Sequence, residues 1–131
     1  NYLISAALTL IMAQRLARKS CLDCRVIDEN ITPKLLNSIG FLPEQSARAK
    51  IYKCTGCKEC GGSGYKGRMG IYEILEIDNE LKAGILSNLQ QTELNAIAKK
   101  NGFRTMQDMG QDLLLSGDLS FAEYERVLQS N

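Results

Sequence analysis

Two pairs of cysteines constrain this chain more than any other feature. Cys21-Leu22-Asp23-Cys24 and Cys57-Lys58-Glu59-Cys60 are both C-x-x-C, with 32 residues between them. Two intervening residues let a tight turn aim both sulfurs at one ion, and two such knuckles complete a tetrahedral shell of four thiolates. Gly61, directly after Cys60, permits the left-handed backbone that such turns need. The 131 residues contain no histidine, so a zinc site has to use thiolate or carboxylate ligands, and Ser-His and Cys-His dyads are excluded. A shell filled by protein leaves no position for a water, so Zn2+ held there shapes the fold and does no chemistry.

Redox dithiols share the C-x-x-C spacing, but two copies in a chain with no secretory signal favour a structural metal over disulfides. Cys54 is the fifth cysteine, and Cys54, Cys57 and Cys60 together form C-x-x-C-x-x-C, the start of a ferredoxin-type cluster pattern. The C-x-x-x-C-P element that should follow is missing, so Cys54 is read as a spare thiol on the strand Ile51-Tyr52-Lys53. The stretch Cys57–Gly64 also resembles one C-x-x-C-x-G-x-G repeat of DnaJ-type co-chaperones. Those carry four copies, and the single one here is read as convergence.

Around the cysteines, three regions are expected. Tyr2–Ala13 is apolar, lacks a basic leader and cleavage site, and is too short to span a bilayer. It is read as a helix, Leu3–Ala13, buried in a larger protein of which this chain is a fragment. Gln14–Lys19 alternates like a short strand. In residues 20–70 one short helix is expected, with Thr32 as N-cap, Pro33 at its first position and Gly40 past its end. Gly61–Gly67 reads as loop. Met69–Ile77 reads as a mostly buried strand, with Ile71, Glu73 and Leu75 on one side and Tyr72, Ile74 and Glu76 on the other.

The remainder predicts a small helical bundle. Asp78 precedes Leu81–Leu89, Thr92 precedes Leu94–Lys100, a third helix opens at Thr105–Asp108 and ends at Gly117, and Ser120-Phe121-Ala122-Glu123 is a capping box. Met106, Met109, Leu113, Leu114, Phe121, Tyr124, Val127 and Leu128 recur at helical spacing and predict its core. Glu73 with Glu76, and Asp108 with Asp112, are read as solvated carboxylates.

The net charge of +1 conceals an asymmetry. Residues 1–68 hold eleven basic and five acidic side chains, and residues 69–131 hold five and ten. The densest basic run is Arg48, Lys50, Lys53, Lys58, Lys66 and Arg68, a candidate surface for an anionic partner. With only Tyr52 and Tyr65 near it, a stacking surface for nucleic acid is disfavoured. A G-x-x-x-x-G-K-[ST] loop is absent, so these residues alone cannot hold Mg·ATP.

The order Gln14-Arg15-Leu16-x-Arg18-x-x-Cys21-x-x-Cys24, then Gly56-Cys57-x-x-Cys60, then Gly64-Tyr65-x-Gly67-Arg68-x-Gly70-Ile71-Tyr72-Glu73 closely resembles the C-terminal part of the type II secretion and type IV pilus assembly ATPases (the GspE/PilB family). The resemblance covers essentially the whole chain and assigns the metal to Cys21, Cys24, Cys57 and Cys60.

It implies an α+β fold. A β-hairpin remnant of a RecA-like sheet would pair Gln14–Lys19 with Gly70–Leu75, carrying an inserted tetracysteine zinc module and a C-terminal helical subdomain. Residues 1–19 would end the ATPase core, 20–68 form the zinc module, 69–77 return to the core, and 78–131 form the helical subdomain. The parent it implies is a hexameric ring at the cytoplasmic face of the inner membrane. That ring hydrolyses ATP with Mg2+ through segments upstream, and drives a platform protein that assembles pilins or pseudopilins. Arg15 and Arg18 would then contact nucleotide or a neighbouring subunit. The basic run would meet the platform protein or anionic lipid. The alternative reading is a free-standing zinc-knuckle adaptor or nucleic-acid-binding module.

Overall fold

The computed structural model describes residues 1–129. It is a mixed α+β structure of short helices and two two-stranded sheets. In chain order it runs α1 (Tyr2–Ala7), β1 (Leu10–Ser20), β2 (Arg25–Ile27), α2 (Pro33–Ser38), α3 (Pro43–Arg48), β3 (Tyr52–Cys54), a 3-10 turn (Lys58–Cys60) and β4 (Tyr65–Glu76). Then follow α4 (Asn79–Leu86), α5 (Gln91–Lys100), α6 (Met106–Ser116), α7 (Phe121–Tyr124) and a π-helical turn (Glu125–Gln129). β1 pairs with β4, and β2 pairs antiparallel with β3 in the register Arg25↔Cys54, Val26↔Lys53, Ile27↔Tyr52. The Ile77 amide donates to Thr9 O at 2.9 Å and the Cys21 amide to Gly64 O at 3.0 Å, so β1 and β4 are antiparallel too.

The chain forms two compact units, each built from two stretches of sequence: Asn1–Gln14 with Tyr72–Met106, and Arg15–Ile71 with Gln107–Asn131. In the first, Ile77, Leu81 and Ala98 are buried, and Leu8, Leu75, Ile85, Leu94, Ile97 and Phe103 pack on them. Asp78 caps α4 by accepting from the Leu81 amide at 2.8 Å. The cap of α5 is Gln90, whose amide donates to Glu93 at 2.8 Å, two positions before the expected Thr92. Glu73 is not simply solvated: it accepts from the Met106 amide at 3.0 Å and so satisfies the start of α6.

The expected Leu3–Ala13 helix is also corrected. It stops at Ala7, and Leu10–Ala13 belong to β1, because pairing with β4 satisfies their backbone and overrides the weak local helical pattern. β4 is longer than expected at its start, taking in Tyr65–Arg68, and it is buried on one side only: Tyr72 is 41% and Ile74 51% exposed.

The second unit buries Ala17, Leu36, Phe41, Ile51, Ile71, Leu114, Leu119, Phe121, Tyr124, Val127 and Leu128. Thr32 caps α2 as expected, its hydroxyl accepting from the Leu35 amide at 3.2 Å, and Gly40 past the end has φ +109°. A second helix, α3, starts at Pro43 with the Leu42 amide on Gln45 at 3.1 Å; Pro at the first position with Gln two residues on was its overlooked signal. α6 and α7 meet at Gly110. A Cβ there would lie 2.3 Å from Leu128 Cδ1 and 2.8 Å from the ring of Tyr124, which is fully buried and has nowhere to go. Alanine gains about 1 kcal/mol of helix propensity over glycine, but overpacking a core costs about 1–3 kcal/mol. Gly110→Ala is therefore expected to lower the urea midpoint despite better propensity, and a raised midpoint would show that the helices part without cost.

Candidate metal centre

The four sulfurs of Cys21, Cys24, Cys57 and Cys60 come together from two turns of the chain. Cys21 follows the end of β1, and Cys24 precedes β2. Cys57 caps the start of the 3-10 turn before β4, and Cys60 is its last residue. All four Sγ atoms lie within 4.8 Å of one another. Cys21 to Cys57 is 3.8 Å, Cys24 to Cys60 is 3.9 Å and Cys57 to Cys60 is 3.7 Å. A disulfide requires about 2.05 Å. Around a tetrahedral ion with metal–sulfur bonds of about 2.3 Å, sulfurs stand about 3.8 Å apart. The spacing therefore fits four thiolates converging on one soft cation.

Backbone geometry makes the knuckle possible. Gly56 has φ +90°, and a Cβ on it would lie 2.5 Å from the Gly62 carbonyl oxygen, so this close crossing of backbone on backbone excludes any side chain. Gly61 adopts the left-handed conformation at φ +62°. The Cys57 and Gly64 amides each donate to Cys60 Sγ at 3.2 Å. The Cys57 amide above all, helped by that of Gly64, brings the Cys60 thiol down to about 6, despite its desolvation. Burial pushes the Cys24 thiol the other way, up to about 12, where only a cation can hold it as thiolate. Cys54 stays outside the quartet; its Sγ donates to the Cys21 carbonyl at 3.5 Å.

Arg15 donates to the Val127 carbonyl in the π-helical turn. Arg18 donates through Nε and Nη2 to Glu123 Oε1 at 3.1 and 2.8 Å, and its own amide donates to Oε2 at 2.6 Å. Its guanidinium also stacks 4.1 Å from the Tyr65 ring centroid. Glu123 is where sequence reasoning misread the chemistry. Ser120 does cap α7, accepting from the Glu123 amide at 3.2 Å, but the Glu123 carboxylate does not complete the capping box. Fully buried, it is clamped between Arg18 and Arg126, the latter at 2.5 and 2.8 Å. Burial opposes its charge, but the hydrogen bonds from Arg126 and Arg18 outweigh that and hold it down at about 2.

Arg48, Lys50, Lys53, Lys58, Lys66 and Arg68 are all exposed, Lys53 lying 3.9 Å from Asp28.

Comparison with known proteins places these features in company. The family model described as Type II/IV secretion system protein matches residues 1–126. The chain is 37% identical over 120 residues to a Type IV pilus assembly ATPase PilB of Thermus thermophilus, covering 92% of this chain and 13% of that protein. It is 36% identical to the Type IV pilus assembly ATPase TfpB of Acinetobacter baylyi, over 97% of this chain and 22% of the relative. It is 32% identical to a putative type II secretion system protein E of Escherichia coli, over 97% and 25%. The chain thus spans an eighth to a quarter of the length of these relatives.

Proposed function

Because this chain belongs to the type II/IV secretion system protein family, we propose that it is the C-terminal metal-binding and coupling region of a secretion or pilus-assembly ATPase. The observation that carries this reading is the clustering of the Cys21, Cys24, Cys57 and Cys60 sulfurs in a chain that the family model matches over residues 1–126. Zn2+ is the cation that suits four thiolates closed to water. ATP and Mg2+ belong to other parts of the longer polypeptide, which turns over nucleotide as a hexameric ring. The zinc module passes the resulting motion to a platform protein in the inner membrane. Such a protein works at the cytoplasmic face of that membrane as a peripheral component, and among the described residues no helix is long and apolar enough to cross it.

Exposed apolar side chains support the idea that β1 and β4 end a larger, RecA-like sheet. Leu10, Ile11, Met12, Leu16, Tyr72 and Ile74 are all at least 41% exposed, which suits burial by more polypeptide. Arg15 and Arg18 serve first to hold Val127 and Glu123; contact with nucleotide or a neighbouring subunit is what ring assembly would add.

The exposed basic run is the docking surface for the platform protein or anionic lipid. Reversing charge at Lys50, Lys53 and Lys58 in the full-length protein is expected to leave ATP turnover in solution intact. Co-sedimentation with anionic vesicles or co-purification with the platform protein should fall several-fold, and more at low salt than at high. Unchanged partner binding and unchanged pilus or pseudopilus assembly would remove the surface assignment.

A further inference from the structure

The end of α6 at Ser116 and the loop between α6 and α7, residues 117–120, are gripped by residues beside the clustered cysteines. Ser20, which precedes Cys21, donates its amide to the Asp118 carbonyl at 2.9 Å. Arg25, which follows Cys24, donates to the Ser116 carbonyl at 3.3 Å while its guanidinium lies 4.8 Å from the Tyr52 ring centroid. Gly117 leaves room for both: at φ +81°, a Cβ on it would lie 2.5 Å from Arg25 Nη1 and 3.0 Å from Tyr52 Cδ2. On the second knuckle, the Gly64 amide bonds Cys60 Sγ, and the next residue, Tyr65, shares a 3.2 Å hydrogen bond with Ser120 Oγ, the cap of α7. The two knuckles are themselves joined by the Cys21 amide on Gly64 O.

We propose that residues 116–124 form a metal-sensitive element: occupancy of the centre orders this loop and the start of α7, and the loop in turn raises affinity for the metal. Arg25 and Tyr65 are positioning residues for the two knuckles. Neither touches a sulfur; each fixes the backbone that carries one. The inference rests on the tetracysteine site holding zinc. Without the ion, four thiols within 4.8 Å of one another lose the attraction that holds the turns together, and Ser20, Arg25 and Tyr65 lose their fixed starting points. Coupling between binding and order is reciprocal, so whatever the metal does for the loop, the loop does for the metal.

The test uses the 131-residue chain, its zinc content measured first. Amide hydrogen exchange is then compared between the zinc-loaded chain and the chain after removal of zinc by a chelator. Residues 116–124 are expected to exchange about tenfold or more faster once zinc is gone, within the roughly 5- to 150-fold range of ordinary coupling, while α4 and α5 are unchanged. Arg25→Gln and Gly117→Ala should speed zinc transfer to a chromophoric chelator by a similar factor, and Glu44→Gln should not. In the metal-free chain Arg25→Gln should add little further exchange at 116–124, the non-additivity expected of coupled elements. If Gly117→Ala does not fold, Arg25→Gln alone decides. A chain that takes up no zinc overturns the metal reading and this inference with it. Zinc retained, with exchange at 116–124 indifferent to chelation and release from Arg25→Gln at the wild-type rate, overturns the coupling alone. Chelation that loosens α4 and α5 equally also overturns it, since the effect is then general unfolding.

Discussion

Cys21→Ser is expected to empty the metal site and unfold the segment around it. Elemental analysis should find one zinc per wild-type chain and none in the variant. The effect is large because structural zinc contributes about 10–16 kcal/mol of apparent binding energy in small modules at neutral pH, whereas a whole domain is stable by about 5–15 kcal/mol. Secondary structure in this region is short: β2 and β3 are three residues each, and α2 and α3 are six. Cys54→Ser is the matched control, because that thiol lies outside the quartet and donates to the Cys21 carbonyl, and it should retain zinc. Zinc retained by Cys21→Ser, a metal-free wild type, or visible sulfur-to-iron absorption would each refute the assignment.

Glu123→Gln should produce the second-largest change, with a characteristic pH dependence. The carboxylate is fully buried, while Arg18 and Arg126 keep about half of their side chains in solvent, at 50% and 55% exposure. The pair is thus one-sided: the cations can return to water, but the anion cannot lose them without being stranded. With its folded value near 2 and an ordinary glutamate near 4.3, the unfolded chain binds the extra proton on acidification. The contribution is complete above about pH 5, on the order of 3 kcal/mol, and is lost as pH falls towards 2. Glu123→Gln should therefore be less stable than wild type at pH 7 by about 2–3 kcal/mol, and the two should converge towards pH 2. Parallel stability curves across pH 2–6 would mean that another carboxylate governs the acid limb.

The convergence of Cys21, Cys24, Cys57 and Cys60 was legible in the sequence because spacing is itself the geometry: two residues between thiols put both on one turn. Local caps were legible for the same reason, as at Thr32, Asp78 and Ser120. What the sequence could not show were bonds between distant positions. Glu123 carries every mark of a capping-box residue, three places after Ser120, yet Arg18, 105 residues earlier, outbids the local amide with a charged fork. Glu73 looked solvated until Met106, 33 residues on, was found donating to it. The misplaced boundary at Ala7 has the same origin. An apolar run without strong period takes whatever structure its partner strand imposes, and β4 imposes extension on Leu10–Ala13.

The two-stretch construction of the second unit has a consequence for how the chain is made. Its first stretch closes at Ile71 and its second opens at Gln107, with 35 residues of the other unit between them. A ribosome adding about 5–20 residues per second needs roughly two to seven seconds to cross that gap. Throughout it, Arg18 lacks Glu123 and Ser20 lacks Asp118, while all four clustered cysteines have already been synthesised. A metal captured in that interval would work as a cotranslational splint, keeping the unfinished unit from collapse or thiol oxidation until its last helices arrive.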